Sequence, residues 1–484
     1  MTNDSKTQPM VRRRQAEIAP THPQARSVWS LALRGWRWLA SSAPAGVVAI
    51  LVLWPLPGAQ LWADDLADLY RLALRRDPAL QEAALTNKAT QERLQQARAG
   101  LLPSLRFSAG FEHTNQDILN SDNLLFSEGA SDFESYDFSL TLSQPLFRYA
   151  AIIQVRQARD VAARGMLEYY AAEQELILRV SELYLEALSA RDALGFARAE
   201  KAALQLHFER ARGEHARGLV PVTDLYDARA RLAAAEGRDI LAKNDLDNAV
   251  QALREVTGDW TGELAGIRGE LPLRPPAPPE VDPWIAAGLT QNLGLQAQEM
   301  AVAVSAQEVG RLKAGNYPSL DLVARSNRQK TGGDIFGDGR ETEVYNIRVE
   351  LNLPLYEGGL MRSQVRSASY LHQRTQKEHE RLARTVESQT RSAYGGVMSA
   401  IGRVQAQEQA VAALELALQG RQKGFRSGLF PSLDVLDGVR DLFLSRRDYA
   451  RARYDYILNS LRLKQVVGTL GQDDISAINQ WLSE

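Results

Sequence analysis

The sequence predicts an α+β membrane protein built from two internal repeats, in which long coiled-coil helices are joined to strands of a β-barrel shared between subunits. Three observations support this prediction. Four short motifs each occur twice, in the same order and about 210 residues apart. Two stretches of about 70 residues consist mainly of strong helix formers. Four segments of about ten residues alternate between apolar and polar side chains, as membrane barrel strands do.

The duplicated motifs define the organisation of the chain. The paired segments are 102–105 with 317–320, 144–147 with 353–356, 218–224 with 428–434, and 253–258 with 463–468. A proline-rich stretch between the two copies predicts a stiff, extended connector. We therefore divide the chain into a signal peptide, a first structural repeat, a connector and a second structural repeat, with the bounds 1–63, 64–269, 270–283 and 284–484.

Residues 1–63 have the order of a secretory signal. Arginines, among them Arg12 and Arg37, precede an apolar run at 46–54, and Ala59 or Ala63 offers a small residue for cleavage. The run is about half as long as the roughly 20 residues that a membrane-spanning helix needs. We expect this segment to direct export and to be cleaved; its retention as an anchor is the alternative.

Each repeat has the same predicted order, which is a helix of about 30 residues, two strands, a very long helix, a glycine-containing turn and another long helix. The very long helices span about 148–216 and 357–426, and glycines at 395–396 mark a place where the second could kink. Apolar residues of segment 180–194 step by three and four, which is the spacing of a coiled-coil seam. At a rise of about 1.5 Å per residue, such helices are roughly 100 Å long.

The four alternating segments each present one apolar face and one polar or charged face. A half-buried soluble sheet has the same pattern, but the charged face and the export signal favour the lipid-facing and lumen-facing sides of an outer-membrane barrel. Because four strands cannot close a barrel and open edges are not tolerated in lipid, we expect a homotrimer with about twelve shared strands. The residues predicted to face outer-membrane lipid are Phe107, Phe111, Phe138, Leu140, Ile347 and Val349.

The composition argues against several other functions. The net charge of −2 predicts no basic stripe for nucleic acid, and the absence of cysteine excludes disulfides and thiol catalysis. The six histidines have no metal-ligand spacing, and the sequence has no nucleotide-binding loop. We therefore expect no enzyme activity, no metal and no cofactor.

Several motifs resemble those of one known family. The segments 218–224 and 253–258, the motif Asp434-Val435-Leu436-Asp437 and the closing segment 452–461 are typical of the TolC family of outer-membrane channel-tunnels. The resemblance extends from about Asp64 to the C-terminus. It implies a trimeric β-barrel in the cell outer membrane that continues into a long coiled-coil helical barrel extending into the periplasm.

The resemblance also implies a function and partners. Members of the family are passive exit ducts of tripartite export systems. A periplasmic adaptor (membrane fusion) protein connects them to an inner-membrane ABC or proton-driven pump, which supplies the energy. We therefore expect a role in type I protein secretion, small-molecule efflux or both.

The resemblance assigns a periplasmic gate to the turn of the second repeat. Asp434 and Asp437 correspond to the aspartates that ring the periplasmic entrance, and Asp224 corresponds to their partner carboxylate on the neighbouring tip. Residues three apart share one face of a helix, so threefold symmetry would concentrate six carboxylates at the pore axis, where they would favour cations. An ordinary solvated helix face is the alternative.

One position departs from the pattern of the family. Phe430 stands where better-known members have an arginine that ties neighbouring coils together. Arg426 or Arg217 could instead reach Asp224, or the closed state could rest on hydrophobic contact through Phe430. The turns that correspond to adaptor-docking tips contain Gly218, Leu219, Gly428 and Leu429.

One interpretation from another class stays open at this point. A periplasmic coiled-coil scaffold, or an adaptor-like structural protein, would have the same long helices but would be water-soluble. Recovery of the protein from detergent-extracted outer membrane would exclude it. The sequence does not name the cargo, because in such systems the pump selects it.

Overall fold

The computed structural model describes residues 65–120, 129–258, 260, 262–267, 271–333 and 339–482. The predicted signal peptide at 1–63 lies outside the described residues. The prediction of a mostly helical protein with four strands is confirmed.

The same series of elements occurs twice along the chain. The first series is α1 (Leu66–Arg76), α2 (Pro78–Ala99), β1 (Ser104–Ile118), β2 (Gly129–Phe147), α3 (Tyr149–Ala216) and α4 (Val222–Thr257). The second series is α5 (Val281–Gln291), α6 (Leu293–Ala314), β3 (Ser319–Thr331), β4 (Arg340–Asn352), α7 (Leu360–Arg426) and α8 (Ser432–Val467). A short helix, α9 (Gln472–Asn479), follows the second series.

The first helix of each series differs from the prediction. Instead of one helix of about 30 residues there are two, separated at Asp77 and at Asn292. A residue before proline is disfavoured in the α region, and Asp77 precedes Pro78 with an extended ψ of 117°. The side chains of Asp77 and Asn292 each cap the helix that follows. They accept hydrogen bonds from the backbone N–H groups of Leu80 and Leu295, at 2.8 and 2.9 Å respectively. The break is therefore stabilised by local capping.

The long helices α3 and α7 contain 68 and 67 residues and are continuous, so each is about 100 Å long at the usual rise. The glycines at 395–396 do not interrupt α7. Helix α3 packs against α2, α4, α6 and α8, and α7 packs against α5, α6 and α8. Among the described residues, every helix falls short of the combined length and apolarity that a membrane-spanning helix requires.

The four strands form one antiparallel sheet in the order β1-β2-β3-β4. Because directly paired residues of antiparallel strands point to the same side, the register decides which side chains share a face. Phe107 is paired with Leu140, Leu140 with Ser326, and Ala324 with Ile347. A bulge between Pro145 and Phe147 then brings Phe147 opposite Leu320. The apolar residues of all four strands therefore lie on one side of the sheet, and Ser326 and Arg328 of β3 lie on the same side.

The main hydrophobic core surrounds the middle of α3, where α1, α2, α4, α7, α8, α9 and the segments next to the connector meet. Fully or almost fully buried members include Leu69, Tyr184, Leu253 and Ile457. Tyr184 donates a hydrogen bond from its hydroxyl to the carbonyl of Ala265 at 2.7 Å, which ties the chain after α4 to this core. The middle of the long helices is thus the best-packed part of the described chain, and both of their ends lie outside this core.

Candidate functional site

Two surfaces contain the residues that the sequence singled out. One is the apolar face of the sheet, and the other is the pair of turns between α3 and α4 and between α7 and α8. Helix α3 starts directly after β2 and ends at the first turn. The turns are therefore about one helix length, roughly 100 Å, away from the sheet.

The apolar face of the sheet is exposed in the single chain. Phe107 is 67 % exposed and Ile347 is 80 % exposed, although both are large and apolar. The other residues predicted to face lipid are also exposed, namely Phe111, Phe138, Leu140 and Val349. A contiguous apolar surface of this kind requires a partner or lipid. The register therefore brings all six predicted residues onto one face.

Aromatic residues with polar neighbours lie toward one end of this face. The rings of Phe111 and Tyr136 are 5.2 Å apart between centroids, and the Tyr136 hydroxyl donates to Glu134 at 2.9 Å. Tyr345, which lies nearer the middle of the same face, donates to Glu343. Tyrosine side chains whose hydroxyl is in contact with water are typical of the boundary between apolar and aqueous surroundings.

The opposite face of the sheet is polar. The hydroxyls of Ser108 and Ser139 are hydrogen bonded at 2.7 Å. At the junction with the helices, Arg148 forms an ion pair with Asp321 at 2.9 Å. The two faces therefore differ in polarity as a membrane barrel requires of its lipid and lumen sides.

The two helical turns have the same backbone geometry. Gly218 and Gly428 adopt φ angles of 73° and 75°, which a side chain would strain. The amide of Leu219 donates to the carbonyl of Glu214 at 3.0 Å, and the amide of Gly218 donates to His215 at 2.8 Å. Leu429 and Gly428 repeat this pair of bonds. Both are Schellman turns, and they leave Leu219 and Leu429 exposed.

Helix α8 begins directly after the second turn and contains both predicted gate aspartates. Asp434 lies in its first turn, where a carboxylate is favoured by the helix dipole. Asp437 follows three residues later, on the same side of the helix. Asp224 has the equivalent place in the first turn of α4. The structure places all three carboxylates within the first two turns of α4 and α8.

An arginine that the sequence analysis missed contacts the second gate aspartate. Arg231, on α4, forms an ion pair with Asp437 on α8, with 2.7 Å between Nη2 and Oδ1. Both side chains are about one third exposed, at 33 % and 32 %. Arg231 stands one heptad after Asp224, so it lies on the same side of α4. That spacing indicates the side of α4 on which Arg231 lies, but it does not indicate the contact with Asp437.

The arginine substitutes suggested by the sequence are not observed in that role. Arg217 donates from Nε to the carbonyl of Gly213 in its own helix at 3.0 Å. Among the described residues, neither Arg217 nor Arg426 forms an ion pair with Asp224. The charged link between the two repeats at this end is instead made by Arg231 and Asp437.

Phe430 contacts its own hairpin. A Cβ atom added to Gly424 would lie 2.2 Å from Cδ2 of the Phe430 ring, so the ring lies directly against the bare backbone of α7. The side chain is 44 % exposed. The absence of a side chain at position 424 therefore allows Phe430 to fold back across the turn.

A small second hydrophobic cluster lies near the tips. Its buried members are Leu204 from α3, Ala228, Leu232 and Ala235 from α4, and Leu436 and Val439 from α8. Three of the six come from the helix that contains Arg231, and two come from the helix that contains Asp437. This cluster is much smaller than the main core, so the tips are held together less firmly than the middle of the helices.

His207 lies on α3 near the tips, in a small cavity that Arg210, Glu214 and Asp224 also line. Burial, together with the neighbouring Arg210, lowers the pKa of His207. Within the described ranges no three histidine or carboxylate side chains are arranged to hold a metal ion.

The family described as "Outer membrane efflux protein" matches residues 69–259 and 284–469, which is most of both repeats. The outer membrane protein TolC of Vibrio cholerae is 31 % identical over 424 residues, which cover 87 % of this chain and 94 % of that protein. The proteases secretion protein PrtF of Dickeya chrysanthemi is 28 % identical over 437 residues, covering 90 % and 94 %.

Solved structures share the same fold. The outer-membrane channel CmeC of Campylobacter jejuni superposes with a TM-score of 0.73 at 16 % identity, covering 86 % of this chain and 89 % of that one. The order of helices and strands, the apolar sheet face and the family match agree with one another. The chain therefore belongs to the outer membrane efflux protein family of TolC-like channels, and it is an outer-membrane exit duct for export that extends into the periplasm.

Proposed function

We propose that three copies of the chain form one duct, with four strands from each copy closing a shared barrel of about twelve strands. The observation that carries this proposal is the apolar sheet face, which is exposed on a sheet whose outer strands, β1 and β4, have free edges. Unpaired backbone groups are not tolerated in lipid, so each edge requires a strand from a neighbour. Lipid then covers the apolar face.

The long helices form the periplasmic part of the duct, and its entrance lies at the turns. Asp434, Asp437 and Asp224 ring that entrance and make it favour cations. The position of these residues about 100 Å from the sheet supports this proposal, because the sheet is in the outer membrane. Phe430 contributes by keeping its own hairpin closed over α7.

The turns with Gly218, Leu219, Gly428 and Leu429 dock a periplasmic adaptor protein. Leu219 and Leu429 are 67 % and 78 % exposed, and a rigid turn that presents a large apolar side chain is a suitable contact for a partner. An inner-membrane ABC or proton-driven pump supplies the energy, and the chain itself performs no catalysis.

Type I protein secretion is the export route that the relatives favour. The relatives from Dickeya chrysanthemi and Pseudomonas aeruginosa are named as secretion proteins for proteases and for alkaline protease. Their matches cover 90 % and 86 % of this chain. A pyoverdine exporter of Pseudomonas putida is related at a lower identity of 24 %, so small-molecule efflux is the second route.

Fractionation of cells that express the full chain tests the proposal. We expect the protein in the outer-membrane fraction, released only by detergent, with a mass in native mass spectrometry of three chains. Recovery as a water-soluble monomer would contradict the duct and support a periplasmic scaffold. Membrane association with a stoichiometry other than three would contradict the shared barrel.

A further inference from the structure

The two outer strands of the sheet, β1 and β4, are the edges at which one copy of the chain meets the next in the proposed barrel. Because the sheet has four antiparallel strands, β4 of one copy meets β1 of the next copy in the antiparallel sense. The chain contains an internal counterpart of this contact. It is the pairing of β2, the last strand of the first repeat, with β3, the first strand of the second repeat.

The internal repeat relates the strands of the two hairpins residue by residue. The duplicated motifs are 215 residues apart between β1 and β3 and 209 residues apart between β2 and β4. Ser104 is paired with Ser143 in the first hairpin. Adding those separations gives Ser319 and Asn352, which are paired in the second hairpin. The repeat therefore transfers strand register from one hairpin to the other without a shift.

The same relation gives a register for the contact between copies. Within the chain, Ser139 of β2 is paired with Asn327 of β3. The equivalent residues are Arg348 of β4 and Glu112 of β1. In the equivalent contact Arg348 lies opposite the partner's Glu112, and opposite charges that face each other across two strands are stabilising. Both side chains are exposed in the single chain.

Polarity and charge both favour this register over its neighbours. A slip of one residue would place the apolar side chains of β4 beside the polar face of β1. Without a slip, Val349 lies opposite the partner's Phe111, so apolar residues meet apolar residues. A slip of two residues would place Glu350 opposite the partner's Glu112, where like charges repel. A slip of two in the other direction would place the neutral Asn346 there.

An ion pair at the junction between sheet and helices has a charge-reversed equivalent at the outer edges. Arg148, directly after β2, binds Asp321 of β3 at 2.9 Å. The equivalent of Arg148 is Glu357, which follows β4, and the equivalent of Asp321 is Arg106 of β1. The acid and the base have exchanged places, so the two residues are again complementary. Both are exposed, and neither forms an ion pair within the described part of the chain.

We propose that β4 of one copy pairs with β1 of the next so that Arg348 lies opposite the partner's Glu112. At the junction with the helices, Glu357 binds the partner's Arg106. This inference rests on the proposed function, in which three copies share one barrel. It goes further by giving the register between copies and two charge pairs that select a second copy of this chain as the neighbour.

Disulfide cross-linking measures the register directly, because the chain contains no cysteine. In the proposed register Asn346 lies opposite the partner's Thr114, on the polar face. Asn346→Cys with Thr114→Cys should therefore form covalent dimers and trimers when intact outer membranes are oxidised. Within one chain β1 and β4 are three strand spacings apart, or about 14 Å. A disulfide joins Cα atoms less than about 7 Å apart, so each cross-link joins two copies.

Asn346→Cys with Gln116→Cys is the matched control, because Gln116 lies two residues along β1 on the same face as Thr114. Diagonal neighbours have Cα atoms about 7–8 Å apart, so we expect about tenfold less cross-linking in the control. Stronger cross-linking of the control would overturn the register, and so would native trimers without a cross-link from either pair. Absence of trimers in the cysteine-free protein would instead overturn the shared barrel of the proposed function.

Charge reversal tests the pair at the junction. Glu357→Arg should lower the yield of trimer about tenfold, because like charges would meet at all three interfaces. Glu357→Arg with Arg106→Glu should restore the yield, which excludes a folding defect. Glu408→Arg makes the same change in charge about 70 Å along α7 from the sheet and should leave the yield unchanged. Wild-type yield in Glu357→Arg, or no recovery in the double variant, would overturn the junction pair.

Discussion

A lysine at position 347 should prevent assembly in the membrane, whereas a lysine at position 346 should not. Ile347 lies in the middle of β4 and is paired with Ala324 on the apolar face. Asn346 lies beside it on the polar face and is paired with Arg325. Both are exposed in the single chain. Only a surrounding lipid phase distinguishes them.

The expected penalty follows from the position of the residue along the strand. On its face of β4, Ile347 follows Tyr345 and precedes Val349 and Leu351, so it lies inside the apolar band. A lysine at the midplane of a barrel's lipid face costs about 2–4 kcal/mol, and a trimer contains three copies, so the total is about 6–12 kcal/mol. Asn346→Lys adds the same charge but places it in water, where repulsion from Arg325 costs at most about 1 kcal/mol.

Semi-native gel electrophoresis of unheated outer-membrane extracts measures the yield of trimer. We expect wild-type levels for Asn346→Lys and little or no trimer for Ile347→Lys, with the unassembled chain degraded or soluble. Equal trimer yield from the two variants would show that the apolar face is not in lipid. Equal loss from both would show that the strand tolerates no lysine on either face, and the argument from polarity would then be refuted.

Two further substitutions test the packing of the helices. Gly424→Ala should destabilise the second turn by about 1–3 kcal/mol through overpacking against Phe430. Limited proteolysis measures this effect, and we expect faster cleavage at that turn. The double variant Gly424→Ala with Phe430→Ala should be cleaved more slowly than Gly424→Ala alone. Glu200→Ala should lower the free energy of unfolding by about 3 kcal/mol, because it leaves Arg238 without its buried carboxylate. The exposed pair of Glu182 with Arg462 is the control, and Glu182→Ala should change stability in chemical denaturation by at most about 1 kcal/mol.

The strands and the long helices could be predicted from the sequence because their patterns are local. Alternation with a period of two defines which side chains of a strand share a face, and hairpin pairing then aligns neighbouring faces without further information. In this way Phe107 and Ile347 were assigned to one surface, although 240 residues separate them. The tips were also predictable, since Gly218 and Gly428 occupy equivalent places in the two repeats.

The contacts between helices could not be predicted in the same way. Whether Arg231 meets Asp437 depends on the rotation of α4 and α8 about their axes, and that rotation is decided by the packing of Leu232, Leu436 and their neighbours. The break at Asp77 does have a signal in the sequence, because Asp77 is a typical capping residue and Pro78 follows it directly. Capping energies of about 1 kcal/mol decide such local breaks.

The tips of the long helices are packed less extensively than the middle of the same helices. The main core binds the centre of α3 to six other helices and to the connector. The tips depend on six buried small or medium apolar residues and on an ion pair whose side chains are about one third exposed. Fewer buried contacts therefore hold α8 at the tips than in the middle of the helices.

Sided block by a trivalent cation tests the central claim most directly, which is that the acidic entrance lies at the helical tips, far from the barrel. La³⁺ is added first to one side and then to the other side of a planar bilayer that contains the oriented protein. We predict block from the side with the helical tips at much lower concentration than from the other side, and loss of that difference in Asp434→Ala with Asp437→Ala. Equal block from both sides, or block that persists in the double variant, would contradict the account.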